Sequence, residues 1–469
     1  MHDASALIDT PLFWPVARLI AAYRTKELSP VEVCEEAQRR ADAFDKAMNI
    51  YVTRMDDLAM RQAKAAEAAY RNGTAPALAG VPVSIKDAFE VKGYKTTWGS
   101  LKFRDHISKI DTGVSARLRA SGAVLTGKTN TAEFGQSATT DNLLGPDTTN
   151  AWDPARTSGG SSGGAVSSVA AGLASIAVGS DGGGSIRIPA AFSGVFGIKP
   201  TYGLVKDEGS GSAMSDFVCP GPLARSVDDA RHLLNVLAET DFARAPTQRA
   251  LRIAWCRSPE RRPIEPGVMA TLEAAVEQIR ALGHEIVEDD IPVAGWKDVF
   301  GPLVLFDELR ERGHYLDEDH SDLTEYELAT LLAARKLTDR DTGRARDLLA
   351  AYRARIDAYL DDFDAIITPT NAVTAFPVGD RPTMIEGRKV SELWGAFPFT
   401  SPFNVAGTPA ASVPCGLAGG LPVGLQVVMK RGADAALLDL CEDIEEALAC
   451  DMSALKRRWA LPKPVEETS

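Results

Sequence analysis

Cysteine is scarce and scattered in this chain. Its six cysteines stand at positions 34, 219, 256, 415, 441 and 450 of 469, and no two form a Cys-x-x-Cys. That spacing excludes a Cys/His zinc site, so no metal is expected. Dispersed thiols in so long a chain fit a reducing compartment. Long apolar runs are lacking too. The least polar stretch, residues 165–179, is rich in Gly, Ala and Ser and falls short of the roughly 18 residues a membrane helix needs. Residues 1–10 carry Asp3 and Asp9 and no basic stretch leading into an apolar run. No signal peptide is therefore expected, and the cytoplasm is the expected location. Positive charge is in the minority. Lys plus Arg number 51 against 64 Asp plus Glu, a net charge of −13. This argues against nucleic acid as the partner and against docking on anionic membranes.

What is present is ordinary globular material. Hydrophobic residues make up 45% and charged residues 25%, which argues against disorder. A chain of this length buries a large core without staples. Hydrophobic periodicity predicts helices over residues 14–26 and 55–71, with a helix start at Ser29-Pro30-Val31-Glu32. Strands are expected over 79–87 and 123–127, around a helix at 114–120. Further on, the pattern predicts a helix over 227–239, a strand over 251–255, and helices without strands over 307–362. Strands follow at 365–370, 410–415 and 424–429, then a helix over 433–449 and a frayed tail after Pro462. This alternation points to an α/β core. No repeat or linker breaks the chain.

The oddest segment lies between. Residues 157–164 read Thr-Ser-Gly-Gly-Ser-Ser-Gly-Gly, residues 165–179 read as one buried Ala/Val/Ile helix, and residues 180–187 read Ser-Asp-Gly-Gly-Gly-Ser-Ile-Arg. By composition alone the first is a flexible linker. Two glycine-rich loops flanking one apolar helix suggest instead that backbone N–H groups converge on one point, as a developing oxyanion requires. A serine beside them is a candidate nucleophile. Neither a phosphate-binding loop nor a dinucleotide fingerprint fits. Gly160-Ser161-Ser162-Gly163-Gly164 matches a nucleophile elbow. The elbow needs a strand before it, however, and residues 153–157 do not read as one. It also needs a later histidine, and none of His232, His284, His314 and His320 sits in a recognisable turn context. A lysine can act as base when burial lowers its pKa. Lys86 is a candidate, although from its strand alone an exposed strand-end lysine is the better reading. Asp87 falls on the opposite face of that strand.

Several stretches then resemble, in order, the amidase signature family of serine hydrolases. They are residues 80–87 (Gly-Val-Pro-Val-Ser-Ile-Lys-Asp), Gly127-Lys-Thr-Asn130 with Glu133-Phe134-Gly135, the two glycine-rich loops, and Gly197-Ile-Lys-Pro-Thr201. Residues 221–227, 403–407 and 420–426 also fit. The resemblance spans residues from about 15 to 450.

It implies a single α/β domain over 1–469, with a twisted mixed sheet covered by helices on both faces. Within it lie a helical N-terminal region (10–72), a signature core (79–240), a helical insertion (about 300–362) and a return to the core (363–450). It implies a Ser–cis-Ser–Lys triad in which Ser185 is the nucleophile, Ser161 the bridge with a cis bond to Gly160, and Lys86 the base. The N–H groups of Gly182, Gly183, Gly184 and Ser185 would form the oxyanion hole. Asp181 and Arg187 are expected to pair and hold the loop, and Ser162 to shape it. The implied reaction is amide hydrolysis on a small molecule, or cleavage of a related acyl–nitrogen bond such as a hydrazide, through an acyl-enzyme. No cofactor is implied, and a homodimer is left open.

The family also holds allophanate and carboxybiuret hydrolases and the glutaminase component of a tRNA-dependent amidotransferase. In that glutaminase, an Asp reads the amino group of glutamine, and the matching position here is Phe397. An apolar ring cannot pair an ammonium. Phe397 and Trp394, with Phe399 and Phe403 nearby, are therefore expected to line an apolar or aryl acyl pocket.

Overall fold

The computed structural model describes residues 10–208, 213–245 and 249–461. The segment 1–9 and the tail from Pro462 lie outside the described residues. Strands β1 (Tyr51–Arg54), β2 (Pro82–Lys86), β3 (Val124–Thr129), β4 (Ile176–Asp181), β5 (Phe196–Lys199), β6 (Cys219–Ala224), β7 (Arg252–Trp255), β8 (Glu285–Glu288) and β9 (Ala365–Pro369) are followed by a small separate hairpin, β10 (Met384–Ile385) and β11 (Arg388–Lys389). The last strands are β12 (Ala410–Ala418) and β13 (Leu421–Val428). All but the hairpin join in one sheet of order β1-β3-β2-β4-β6-β5-β12-β13-β9-β7-β8. The pairs β2/β3, β2/β4, β7/β8 and β7/β9 are parallel, and the others antiparallel, so the sheet is mixed.

The helices are α1 (Val16–Thr25), α2 (Pro30–Met48), α3 (Asp56–Asn72), α4 (Gly113–Ala120), α5 (Gly163–Ala170), α6 (Arg187–Ser193) and α7 (Val227–Ala238). They continue with α8 (Pro266–Ala281), α9 (Lys297–Arg312), α10 (Glu325–Ala334), α11 (Asp339–Asp362), α12 (Ser401–Ala406), α13 (Asp434–Leu448) and α14 (Ser453–Arg458). The start of α2 is a capping box: Ser29 Oγ accepts from Val31 N–H, and the Glu32 carboxylate accepts from Ser29 N–H.

The two-residue period of the strands sorts side chains to the two faces. Ile253, Ile367, Ala411 and Val427 join one cluster with α4, α7, α8 and α13. Their neighbours Ala254, Ile366, Ala410 and Val428 join another with α9, α11 and α12. On β4, Ile176 and Val178 face the first cluster, and Ala177 faces a third with α2, α5 and α6. Both faces are thus covered by helices.

One expectation fails here. Residues 165–179 are not one helix. Helix α5 stops at Ala170, and β4 begins at Ile176. Gly172 between them has φ +68°, which ends the helix cheaply. Both halves are buried, and an apolar run buried on every side carries no period to tell helix from strand. Among the described residues, no helix is long and apolar enough to cross a membrane.

Candidate active site

Strands β2 and β4 are parallel neighbours, paired Ile85↔Val178, so their C-terminal ends open on the same edge of the sheet. That edge is where ligands settle in α/β sheets. Lys86 ends β2, and Ser180 and Asp181 end β4. Lys86 Nζ donates to Ser161 Oγ at 2.7 Å and to Ser180 Oγ at 2.9 Å. The lysine is 1% exposed. Burial pushes its pKa down to about 7, against the opposing pull of Asp181. Asp87 points away and accepts from Lys128 Nζ at 2.6 Å and from Thr97 N–H at 2.8 Å.

Ser161 follows a cis peptide bond from Gly160. Helix α5 then starts against the backbone of Asn130. A Cβ on Gly164 would stand 2.5 Å from Asn130 N and 2.7 Å from Asn130 O, so only glycine fits. The Ser162 hydroxyl donates to Ser180 O (3.2 Å), and Ser162 N–H donates to Ser185 O (3.2 Å). Ser162 therefore ties the two glycine-rich loops together.

Ser185 stands in the turn between β4 and α6, 9% exposed. Gly184 has φ +133°, and a Cβ there would strike Thr400 Oγ1. The turn is wound around the Asp181 carboxylate. That carboxylate accepts from the N–H groups of Gly184 (2.8 Å) and Ile186 (3.3 Å), from Arg187 Nε (2.9 Å) and Nη2 (2.8 Å), and from Asn404 Nδ2 (2.8 Å). Burial pushes Asp181 up, but the charge and hydrogen bonds of Arg187 outweigh it and hold the carboxyl well below the usual range. Arg187 also donates to Gln426 Oε1 (2.6 Å), Asn404 Oδ1 (2.6 Å) and Thr400 O (3.0 Å). The Asp181–Arg187 pair is present as expected. Its outer partners Asn404 and Gln426 were not anticipated, although both lie in motifs carrying the resemblance.

Lys86, Ser161, Ser180, Gly182 and Ser185 all line one cavity of about 670 Å³. Its other walls mix rings (Trp98, Phe103, Phe134, Tyr202 and Tyr315) with aliphatic residues and the carboxylates of Glu90, Asp207 and Glu311. Arg312, from the end of α9, lines it too, with its guanidinium over the Phe134 ring at 4.2 Å and Nε donating to Glu327 at 3.2 Å.

Two expectations about the site need correction. Gly184 does not have a free N–H, because Asp181 takes it at 2.8 Å. Phe397 and Trp394 do not line the cavity. Phe397 is 3% exposed and packs against Phe192 and Phe376, with ring centroids at 5.8 and 6.0 Å. Trp394 is 45% exposed on the surface. Phe399 and Phe403 are fully buried in the core. The actual wall comes from loops near residue 100 and residue 134 and from the helical insertion, which no local signal connects.

The Amidase family model matches residues 32–438. An acylamidase from Rhodococcus erythropolis is 32% identical, with 98% of this chain and 99% of that protein covered. A glutamyl-tRNA(Gln) amidotransferase component from Symbiobacterium thermophilum is also 32% identical, over 90% of this chain and 94% of its own length. The solved structure of a bacterial aryl acylamidase of the amidase signature family superimposes with a TM-score of 0.88 at 26% identity, over 96% of this chain and 99% of that one.

Proposed function

The chain belongs to the Amidase family and hydrolyses carboxylic amides, and from that premise we propose that Ser185 is its nucleophile, relayed through Ser161 to Lys86. The observation that carries the reading is the buried 2.7 Å hydrogen bond from Lys86 Nζ to Ser161 Oγ, on the wall of the cavity onto which Ser185 opens. A neutral lysine accepts the Ser161 proton while Ser161 takes that of Ser185. Ser185 Oγ attacks the amide carbonyl, and the negative charge moves to the carbonyl oxygen. With Gly184 committed to Asp181, the N–H groups of Gly182, Gly183 and Ser185 are the donors for that oxyanion. The C–N bond then breaks as the proton returns along the relay to the leaving nitrogen, and water releases the acyl group by the same path. Ser180 Oγ, 2.9 Å from Lys86, holds the amine in place.

The aromatic walls support an apolar or aryl group in the substrate. Glu90, Asp207 and Glu311 on the same walls offer an ammonium opposite charge, so glutamine, the substrate of the amidotransferase reading, belongs in the test. All six cysteines are unpaired, which supports a reducing compartment, the cytoplasm. Strands drawn from residue 51 to residue 428 into one sheet support a single domain. The test is turnover of a panel of aryl, aliphatic and ureido amides and glutamine by wild type and Ser185→Ala. Aryl amides should be cleaved best and only by wild type. Preferred cleavage of glutamine would return the amidotransferase glutaminase to first place.

A further inference from the structure

Ten residues other than glycine have positive φ among the described residues. Four of them, Lys26, Asn49, Glu239 and Ala449, cap helix C-termini, where a left-handed residue is routine. Three more are exposed: Glu260 and Arg261 in the short 3-10 segment Pro259–Arg261, and Glu386 in the β10–β11 turn, with Arg261 and Glu386 on an open, charged surface hollow. The remaining three are Trp98 (+50°), Phe134 (+49°) and Met214 (+64°), and all three line the cavity of Ser185. A bulky residue held left-handed is a true outlier, and such positions cluster where a ligand is gripped.

The two aromatic positions are joined to each other and to the proposed relay. Phe134 N–H donates to Trp98 O at 2.8 Å. Trp98 N–H donates to the carbonyl of Asp87 at 3.1 Å, and Asp87 is the residue after Lys86. Phe134 precedes Gly135, where an added Cβ would come within 3.4 Å of Ser161 Oγ. The rings are held as well as the backbone. Trp98 and Phe103 meet edge to face at 4.8 Å, Phe103 and Phe134 at 6.1 Å, and the Arg312 guanidinium covers a Phe134 face. On the oxyanion side, a side chain added at Gly182 would meet Met214 Sδ.

We infer that Trp98 and Phe134, with Met214, determine substrate specificity by clamping a planar aryl group beside Ser185. The inference rests on the amidase reading above and assigns the side chains that select the substrate. Rings and a thioether offer flat, polarisable surface that an aryl group fills better than a flexible chain. The shared backbone hydrogen bond makes the two rings one rigid wall, set in register with Lys86 on one side and Ser161 on the other.

The test uses Trp98→Gly and Phe134→Gly. Glycine accepts positive φ, so each change removes the ring and relieves the backbone at the same time, which protects the fold. Two substrate pairs are compared by kcat/KM. Benzamide against butyramide places the ring on the acyl side, and acetanilide against N-butylacetamide places it on the amine side. Rates are normalised to labelling of Ser185 by a fluorophosphonate. In wild type at least one pair should favour the aryl member, and each glycine variant should lower that preference at least about tenfold. Trp98→Phe should retain it. No aryl preference in either pair, or a preference unchanged in both glycine variants, would overturn the clamp. Failure of the wild-type protein to label at Ser185 would instead overturn the nucleophile, so the two results are separable.

Discussion

Lys86 and Asp87 are consecutive, fully buried and not paired with each other. Lys86 ends β2 and Asp87 starts the turn after it, and they point apart: Lys86 meets the Ser161 hydroxyl at 2.7 Å and Asp87 meets the Lys128 ammonium at 2.6 Å. The nearest carboxylate in sequence is thus spent on another cation. Lys86 is left buried with only hydroxyl and carbonyl partners, and burial pushes its pKa down to about 7.

If Lys86 is the base, it works only when neutral. The rate constant kcat/KM should be low in acid and rise with pH through about 7. Lys86→Ala should lower kcat by at least about 10²–10⁴-fold and abolish that inflection. A pH–rate profile that stays flat from pH 5 to about 9 would contradict the role.

The same lysine costs the fold stability. Its pKa is lowered on folding, so the unfolded chain binds more protons than the folded one between about 7 and the ordinary lysine value. Stability lost to this group is greatest below about pH 7 and is recovered as pH rises toward that value. Lys86→Met should therefore raise Tm most near pH 6, with the gain fading by about pH 10. Tm measured against pH for both proteins checks this, and a gain that grew with pH would refute it.

Ser185 opens on the cavity, whereas Ser162 is wholly buried and bonded to Ser180. Peptide mass spectrometry after fluorophosphonate treatment should find the adduct on Ser185. An adduct on Ser162 would revive the nucleophile-elbow reading.

Asp181→Asn leaves the buried Arg187 guanidinium without its counter-charge. Removing one partner of a buried pair costs about 3–5 kcal/mol, which urea unfolding should register. Because Asp181 also raises the Lys86 pKa, the pH–rate inflection should move lower in this variant. An inflection that stayed in place or moved higher would contradict this influence of Asp181 on Lys86.

Phe397 is a core residue, so Phe397→Ala should act on stability. A loss of about 3–5 kcal/mol is expected for such a truncation. The ratio of aryl to aliphatic turnover should stay near that of wild type. A collapse of that ratio with unchanged Tm would put the ring back in the pocket.

Sequence by itself determined the local features. Ser29 with Glu32 fixes the start of α2 through hydrogen bonds spanning only a few residues. The alternation expected over 79–87 set Lys86 and Asp87 on opposite sides, and the structure keeps them apart although β2 ends at Lys86 and Asp87 opens the following turn. The glycine-rich loops were legible because glycine is the residue that such close backbone approaches admit. Tertiary structure decided the rest. Residues 165–179 divide into a helix and a strand at Gly172, and burial on all sides leaves no period in the sequence to tell the two apart. The Gly184 N–H went to Asp181 because Arg187, Asn404 and Gln426, from three separate stretches, fix that carboxylate inside the turn. The cavity wall came from Trp98, Phe134 and Tyr315 and not from Phe397, because those loops meet only when the sheet and the insertion are assembled. A side chain's type is written in the sequence, but which cavity it faces depends on contacts hundreds of residues apart.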